Sequence, residues 1–127
     1  EASMAIKKLD HFSILSKKPE ETIEFYEKFF GYTLKYKKEI PLMHMNVFML
    51  ESNGELMEII QPTGTDIKMT DGLKHIAFLS DDIEADFKVF TDNGARMLHT
   101  EIQISGDLSF FFAKSPSGEM VEVIQHP

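Results

Sequence analysis

The sequence predicts an α+β domain made of one βαβββ unit written twice. Three observations carry this. Gly54-Glu55-Leu56-Met57-Glu58-Ile59-Ile60-Gln61 returns 64 residues later as Gly118-Glu119-Met120-Val121-Glu122-Val123-Ile124-Gln125. His11-Phe12-Ser13-Ile14-Leu15-Ser16 returns at the same offset, with no gap, as His75-Ile76-Ala77-Phe78-Leu79-Ser80. Leu9 with Leu73, Glu20 with Glu84, Leu34 with Leu98 and Phe48 with Phe112 share that spacing.

Each copy opens on a strand, about residues 8 to 16 and 73 to 80, rich in apolar, β-branched and aromatic positions. A helix follows. In the first copy Pro19 suits a first helical turn, Glu20 and Glu21 favour its positive end, and Ile23, Tyr26 and Phe30 form the apolar stripe before Gly31. In the second copy Asp81 or Asp82 caps the helix, Ile83, Phe87 and Phe90 supply the stripe, and Asn93-Gly94 ends it. Three strands complete each copy, at roughly 32 to 38, 44 to 51 and 55 to 61, then 95 to 99, 107 to 113 and 119 to 125. Asn53-Gly54 and Ser117-Gly118 fall where the last hairpin needs positive φ. The expected organisation is a single domain over 4–127, with module 1 at about 4–61, a linker at 62–72 and module 2 at about 73–127. Glu1-Ala2-Ser3 precede Met4 and read as a cloning remnant.

A chain of 127 residues can bury a core without a structural metal, so stability need not explain a metal site. Thirteen basic against 21 acidic residues give a charge of −8, which disfavours nucleic acid and anionic membrane partners. No apolar run is long enough to span a bilayer, and no signal-peptide pattern opens the chain, so a cytoplasmic location is expected. With no cysteine, any metal must be held by nitrogen and oxygen.

Alternation along the strands separates two faces. Phe12 and Ile14 belong against the first helix, which turns His11, Ser13 and Leu15 the other way; Met57 and Ile59 likewise leave Glu58 on the open face. In the second copy Ile76 and Phe78 face Phe87, Val121 and Val123 face inward, and His75 and Glu122 are opposite. A glutamate among apolar strand neighbours is costly unless paired. For two carboxylates and two imidazoles a divalent cation is the economical partner, and mixed nitrogen and oxygen donors suit zinc, nickel, cobalt, iron or manganese over calcium or magnesium. His44, His99 and His126 have no repeat partner and read as ordinary histidines; Glu55 and Glu119 read as solvated turn residues. Met43, Met45 and Met49 read as core or pocket lining, and Gln61 and Gln125 carry no assigned role.

These features resemble the glyoxalase (vicinal oxygen chelate) superfamily over nearly the whole chain. His11 in the opening strand, Thr22-Ile23-Glu24-Phe25-Tyr26 through Gly31, His75-Ile76-Ala77-Phe78 with Asp81-Asp82-Ile83, and Ser115-Pro116-Ser117-Gly118 leading to Glu122 carry the resemblance. It implies the glyoxalase/bleomycin resistance/dihydroxybiphenyl dioxygenase-like fold, with paired modules forming a cup around a metal. Similarity to glyoxalase I implies metal ligands His11, Glu58, His75 and Glu122, one ion per site with zinc, nickel or cobalt foremost, and a lactoylglutathione lyase-like activity on a small-molecule substrate. The implied chemistry is proton transfer next to a carbonyl through an enediolate on the metal, with Glu122 as base and Glu58 as ligand or second base. The stretch Ser13 to Ser16 lacks the arginine that bacterial glyoxalase I uses for glutathione, and Arg96 is the only arginine, so another thiol carrier is open. Methylmalonyl-CoA epimerases look similar but have Gln at the place of Glu58; for such a substrate Lys35, Lys37 and Lys38 are the candidate phosphate contacts. A drug-binding protein of the bleomycin-resistance type does without the ligand set. Relatives of this length also imply a homodimer.

Overall fold

A computed structural model describes residues 5–64, 72–114, 116 and 119–127. The elements, in order, are β1 (Ile6–Leu15), α1 (Pro19–Phe30), β2 (Thr33–Ile40), β3 (Met45–Ser52), β4 (Glu55–Pro62), β5 (Gly72–Ser80), α2 (Ile83–Asp92), β6 (Arg96–Met97), β7 (Gln103–Ser105), β8 (Leu108–Lys114) and β9 (Met120–Gln125). The described residues fall into two compact units, one within His11–Lys74 and one made of residues 5–10 with those of His75–Pro127. The unit boundaries fall immediately before His11 and His75, so the duplication reappears in the packing.

In the His11–Lys74 unit, β1 runs parallel to β4, and β4–β3 and β3–β2 are antiparallel, giving a mixed sheet ordered β1-β4-β3-β2. Helix α1 covers one face. Its apolar side packs Ile23 and Tyr26 with Phe48, Leu50, Met57, Ile59, Phe12 and Ile14, as the alternation requires. Pro19 occupies the first turn, where its missing N–H costs nothing. Gly31, at φ 72°, closes the other end, where Tyr32 N donates to Tyr26 O at 3.2 Å. Phe30, expected on the buried stripe, is 59% exposed; it is the helix's final residue and packs on Tyr26 and Phe25 instead. Met49 is buried, but Met43 is exposed in the 3-10 turn Pro41–Met43 that joins β2 to β3. Asn53 and Gly54, at φ 52° and 81°, make the expected tight turn between β3 and β4.

The other unit repeats the pattern: β5 is parallel to β9, β9 antiparallel to β8, and β6 antiparallel to β8. Ile83, Phe111 and Val123 form its core, joined by Phe87, Phe90, Met97, Ile102 and, from the start of β1, Ile6. Asp82 caps α2 by accepting from Ala85 N at 3.2 Å. The second copy departs from expectation at one edge. In place of a strand over 95 to 99, only Arg96–Met97 joins the ladder, and an unforeseen β7 takes the rest of the edge of β8. A tight turn at Gly106, φ 62°, sends β7 back along β8 and caps the register there, whereas the eight-residue β2 covers the whole of β3. The expected turn at Ser117-Gly118 and most of the expected linker lie outside the described residues.

Candidate metal centre

In the His11–Lys74 unit the parallel register sets Ser13 beside Glu58 and His11 beside Leu56. His11, Ser13 and Leu15 are buried on the face opposite α1, while Phe12 and Ile14 pack toward the helix. His11 Nε2 lies 3.9 Å from Glu58 Oε1. Ser13 Oγ donates to the same carboxylate oxygen. The structure therefore brings His11 and Glu58 together as the alternation predicts, and adds Ser13, which sequence reasoning missed. The signal was present: Ser13 answers to Ala77 in the repeat, so one copy carries a hydroxyl on the histidine face and the other does not.

The second unit builds the same pair. Ala77 is the register partner of Glu122, and Phe112 is its partner on β8. His75 Nε2 lies 3.2 Å from Glu122 Oε1, and both residues are 7% exposed. The Phe112 ring stands edge-on to the imidazole of His75, with centroids 5.2 Å apart at 85°. It fixes the ring's tilt and keeps that flank apolar, which makes the carboxylate more dependent on its partner.

The donor atoms in each pair suit a metal. Two ligands bound roughly 2.0–2.2 Å from one zinc-like ion lie about 3–3.5 Å apart. The separation of 3.2 Å in the second pair meets that, and 3.9 Å in the first is reached by a small side-chain rotation. Each pair offers one imidazole nitrogen and one carboxylate oxygen, the donor set of a borderline divalent cation.

The remaining sequence candidates separate cleanly from these pairs. His126 Nε2 meets Asp10 Oδ1 at 2.9 Å, holding the C-terminal residues to β1. His99 packs between Phe110 and Phe112, and its buried Nε2 has no hydrogen-bond partner among the described residues. His44 sits at φ 52° after the 3-10 turn. Glu55 and Glu119 are exposed, as expected. Lys35 meets Glu51 at 3.4 Å and Lys37 lies 5.5 Å over the Phe48 ring, so two of the three lysines considered for substrate phosphates have partners of their own.

Gln125 has a structural role that the sequence did not disclose. Its Oε1 accepts from Ile83 N at 2.9 Å and its Nε2 donates to Asp81 O at 3.1 Å, so it closes the start of α2. The residue equivalent to Ile83 in the first copy is Pro19, which has no N–H to give. Gln61 accordingly turns to Asn46, whose Nδ2 donates to its Oε1 at 3.1 Å.

A family model described as Glyoxalase/Bleomycin resistance protein/Dioxygenase superfamily matches residues 8–123. The uncharacterized protein YwbC of Bacillus subtilis (strain 168) is 28% identical over 127 residues, covering 94% of this chain and 98% of that protein. Among solved structures, a hypothetical protein from Bacillus halodurans C-125 is similar with a TM-score of 0.86 at 22% identity, covering 94% of each chain. Methylmalonyl-CoA epimerase from Mycobacterium tuberculosis gives a TM-score of 0.85 at 16% identity, covering 100% of this chain and 93% of that one. A variant of Streptomyces coelicolor methylmalonyl-CoA epimerase in complex with 2-nitronate-propionyl-CoA gives 0.80 at 24%, covering 95% and 98%. At these identities the structural likeness establishes the fold.

Proposed function

The chain belongs to the glyoxalase/bleomycin resistance protein/dioxygenase superfamily, and from that premise we propose that it is a metal-dependent enzyme that moves a proton on carbon next to a carbonyl. The ligands are His11, Glu58, His75 and Glu122, holding one divalent ion per chain. The observation that carries the reading is the buried pair His75 Nε2–Glu122 Oε1 at 3.2 Å, repeated 64 residues earlier in sequence as His11 with Glu58.

The substrate class we favour is an acyl-coenzyme A thioester with an epimerisable carbon, since methylmalonyl-CoA epimerases recur among the similar structures. A bound divalent cation supplies Lewis acidity at the carbonyl oxygens, where negative charge develops as the proton leaves. Glu122 takes the proton from the carbon, and its apolar flank at Phe112 keeps competing water away. Inversion at that carbon needs a proton returned to the opposite face, a role we assign to Glu58 as the second carboxylate of the repeat. Ser13 holds Glu58 in one orientation, which suits a ligand or a proton donor of fixed direction. His11 and His75 supply the two imidazole ligands through their Nε2 atoms, the atoms that approach the glutamates.

One residue favours a second reading. The resemblance puts Gln in epimerases where this chain has Glu58, and a glutamate there matches glyoxalase I, which isomerises hemithioacetals with the same acid-base logic. The drug-binding reading has no need of four ligands, and the two pairs weigh against it.

Metal analysis by mass spectrometry tests the proposal, on the parent and on a His75→Ala, Glu122→Ala double variant, after dialysis against mixed divalent metals. The expected result is one transition metal per chain in the parent and little in the variant, followed by turnover of racemising acyl-CoA in preference to hemithioacetal. A parent that emerges without metal removes the enzyme reading. Hemithioacetal turnover without epimerisation selects the glyoxalase reading instead.

A further inference from the structure

Helix α1 carries an aromatic face that its own sheet does not cover. Pro19 and Ile23 are buried, yet Phe25 is 48% and Phe29 63% exposed, in a chain of net charge −8 with little reason to offer large rings to water. The two rings touch, with centroids 5.2 Å apart. Glu21, Glu24, Phe25, Lys28 and Phe29 line one shallow groove along this outer face. At 3.6 residues per turn, Glu21, Phe25 and Lys28 follow one line along the helix, acid then ring then base.

That order is self-complementary under one operation. If a second copy of the helix lies antiparallel, the line reads base, ring, acid, so each Glu21 faces a Lys28 and the two Phe25 rings meet beside the two-fold axis. Seven residues of helix separate the charged ends by about 10 Å, which leaves room for the pair of rings between them. Phe29 flanks this centre, and Lys28, whose Nζ lies 5.4 Å over the Phe29 ring, need only swing away from it to reach the partner's Glu21. A parallel pair would set Glu21 against Glu21 and Lys28 against Lys28. A lipid surface would meet Glu21 and Glu24 along with the rings, and charge repulsion makes that the poorer fit for an anionic membrane.

We propose that the α1 face, centred on Phe25, is an interface between two copies of this chain, packed antiparallel and isologous, with reciprocal Glu21–Lys28 contacts. The interface is independent of the metal. A single helix pair buries less than the roughly 1,200–2,000 Å² of a standard interface, so the dimer is in reversible, concentration-dependent exchange.

Sedimentation velocity over a dilution series tests this on the full chain. The parent should pass from monomer to dimer with rising concentration, and Phe25→Glu should weaken association about tenfold or more. The charge pair gives an arm that does not disturb the rings. Glu21→Lys alone and Lys28→Glu alone should each weaken self-association, because each sets like charges together. An equimolar mixture of the two variants should restore dimer, since every contact is then again acid to base. Circular dichroism melts confirm that each variant is folded before it is compared. A parent that stays monomeric throughout overturns the proposal, as does a dimer that Phe25→Glu leaves intact or a mixture that gains no heterodimer. Binding of the parent to neutral vesicles without self-association assigns the face to a lipid and overturns it too.

Discussion

Ser13 is the residue at which the two copies stop being equivalent. Its hydroxyl donates to Glu58, whereas the matching place beside Glu122 is Ala77, a methyl group. In the proposed site, a hydroxyl beside a ligating carboxylate would orient it and remove part of its freedom, which would set Glu58 apart from Glu122 although the duplication supplied them alike. Ser13→Ala should therefore weaken metal retention about 10–100-fold against a chelator such as a zinc-sensitive dye, while Ser13→Thr, which keeps a hydroxyl, should lose less. Equal retention by all three proteins would reduce Ser13 to packing. The four ligand candidates were legible because the repeat marks them and strand alternation assigns their faces. For Ser13 the sequence offers only its mismatch with Ala77 in the repeat, which marks a difference but names no partner; its register with Glu58, a property of the folded ladder, supplies that.

At the scale of elements, each unit fastens the start of its helix to the preceding strand by the same serine, with a different outcome. Ser16 Oγ accepts from Lys18 N at 3.1 Å and meets Thr22 Oγ1 at 2.8 Å. Ser80 Oγ accepts from Asp82 N at 3.0 Å and donates to Asp86 Oδ2 at 2.6 Å. Asp86 is fully buried and its other oxygen accepts from Ala5 N at 3.0 Å, so it also ties down the first residues of β1, which Ile6, Lys7 with Asp81, and Asp10 with His126 hold to the same unit. Asp86→Ala strands two donors in the interior, and the expected loss is about 2–3 kcal/mol by urea denaturation; Thr22→Ala, which breaks a single neutral contact, should cost about 1 kcal/mol. Equal losses would mean that the link to Ala5 adds nothing. The helices, their caps and the seven longer strands were legible from periodicity and from Gly, Pro and Asp at the ends. The division of one edge into β6 and β7 was not, because which residues of an edge strand pair depends on the turn at Gly106 and on the length of β8 opposite. The packing of residues 5–10 with His75–Pro127 was equally hidden, since the sequence period fixes what repeats but not which copy a strand end joins.

For the molecule as a whole, the charge of −8 bears on which substrate reading survives. A coenzyme A thioester brings several phosphate charges, whereas a glutathione hemithioacetal has no phosphate and carries only the small net charge of its carboxylates and amine. The protein's net field opposes both, and opposes the first more strongly. Local cations can reverse that within a Debye length of roughly 8–10 Å. Lys35 is engaged with Glu51 and Lys37 with Phe48, whereas Arg96 and Lys114 are register partners at the edge of β8, both exposed, beside an apolar groove that includes Phe90, Ala113 and Val121. The net field acts during approach and the local cations act on arrival, so ionic strength separates them. If approach dominates, kcat/KM for an acyl-coenzyme A substrate should rise as salt is added up to physiological strength, because screening removes repulsion, while the value for a hemithioacetal should change less. A steep fall for the thioester would show that a basic cluster captures the phosphates, and Arg96→Gln with Lys114→Gln would then have to abolish the fall if that edge supplies it. Either slope is readable with steady-state kinetics in a non-coordinating buffer, with the metal held saturating so that salt acts on the encounter alone.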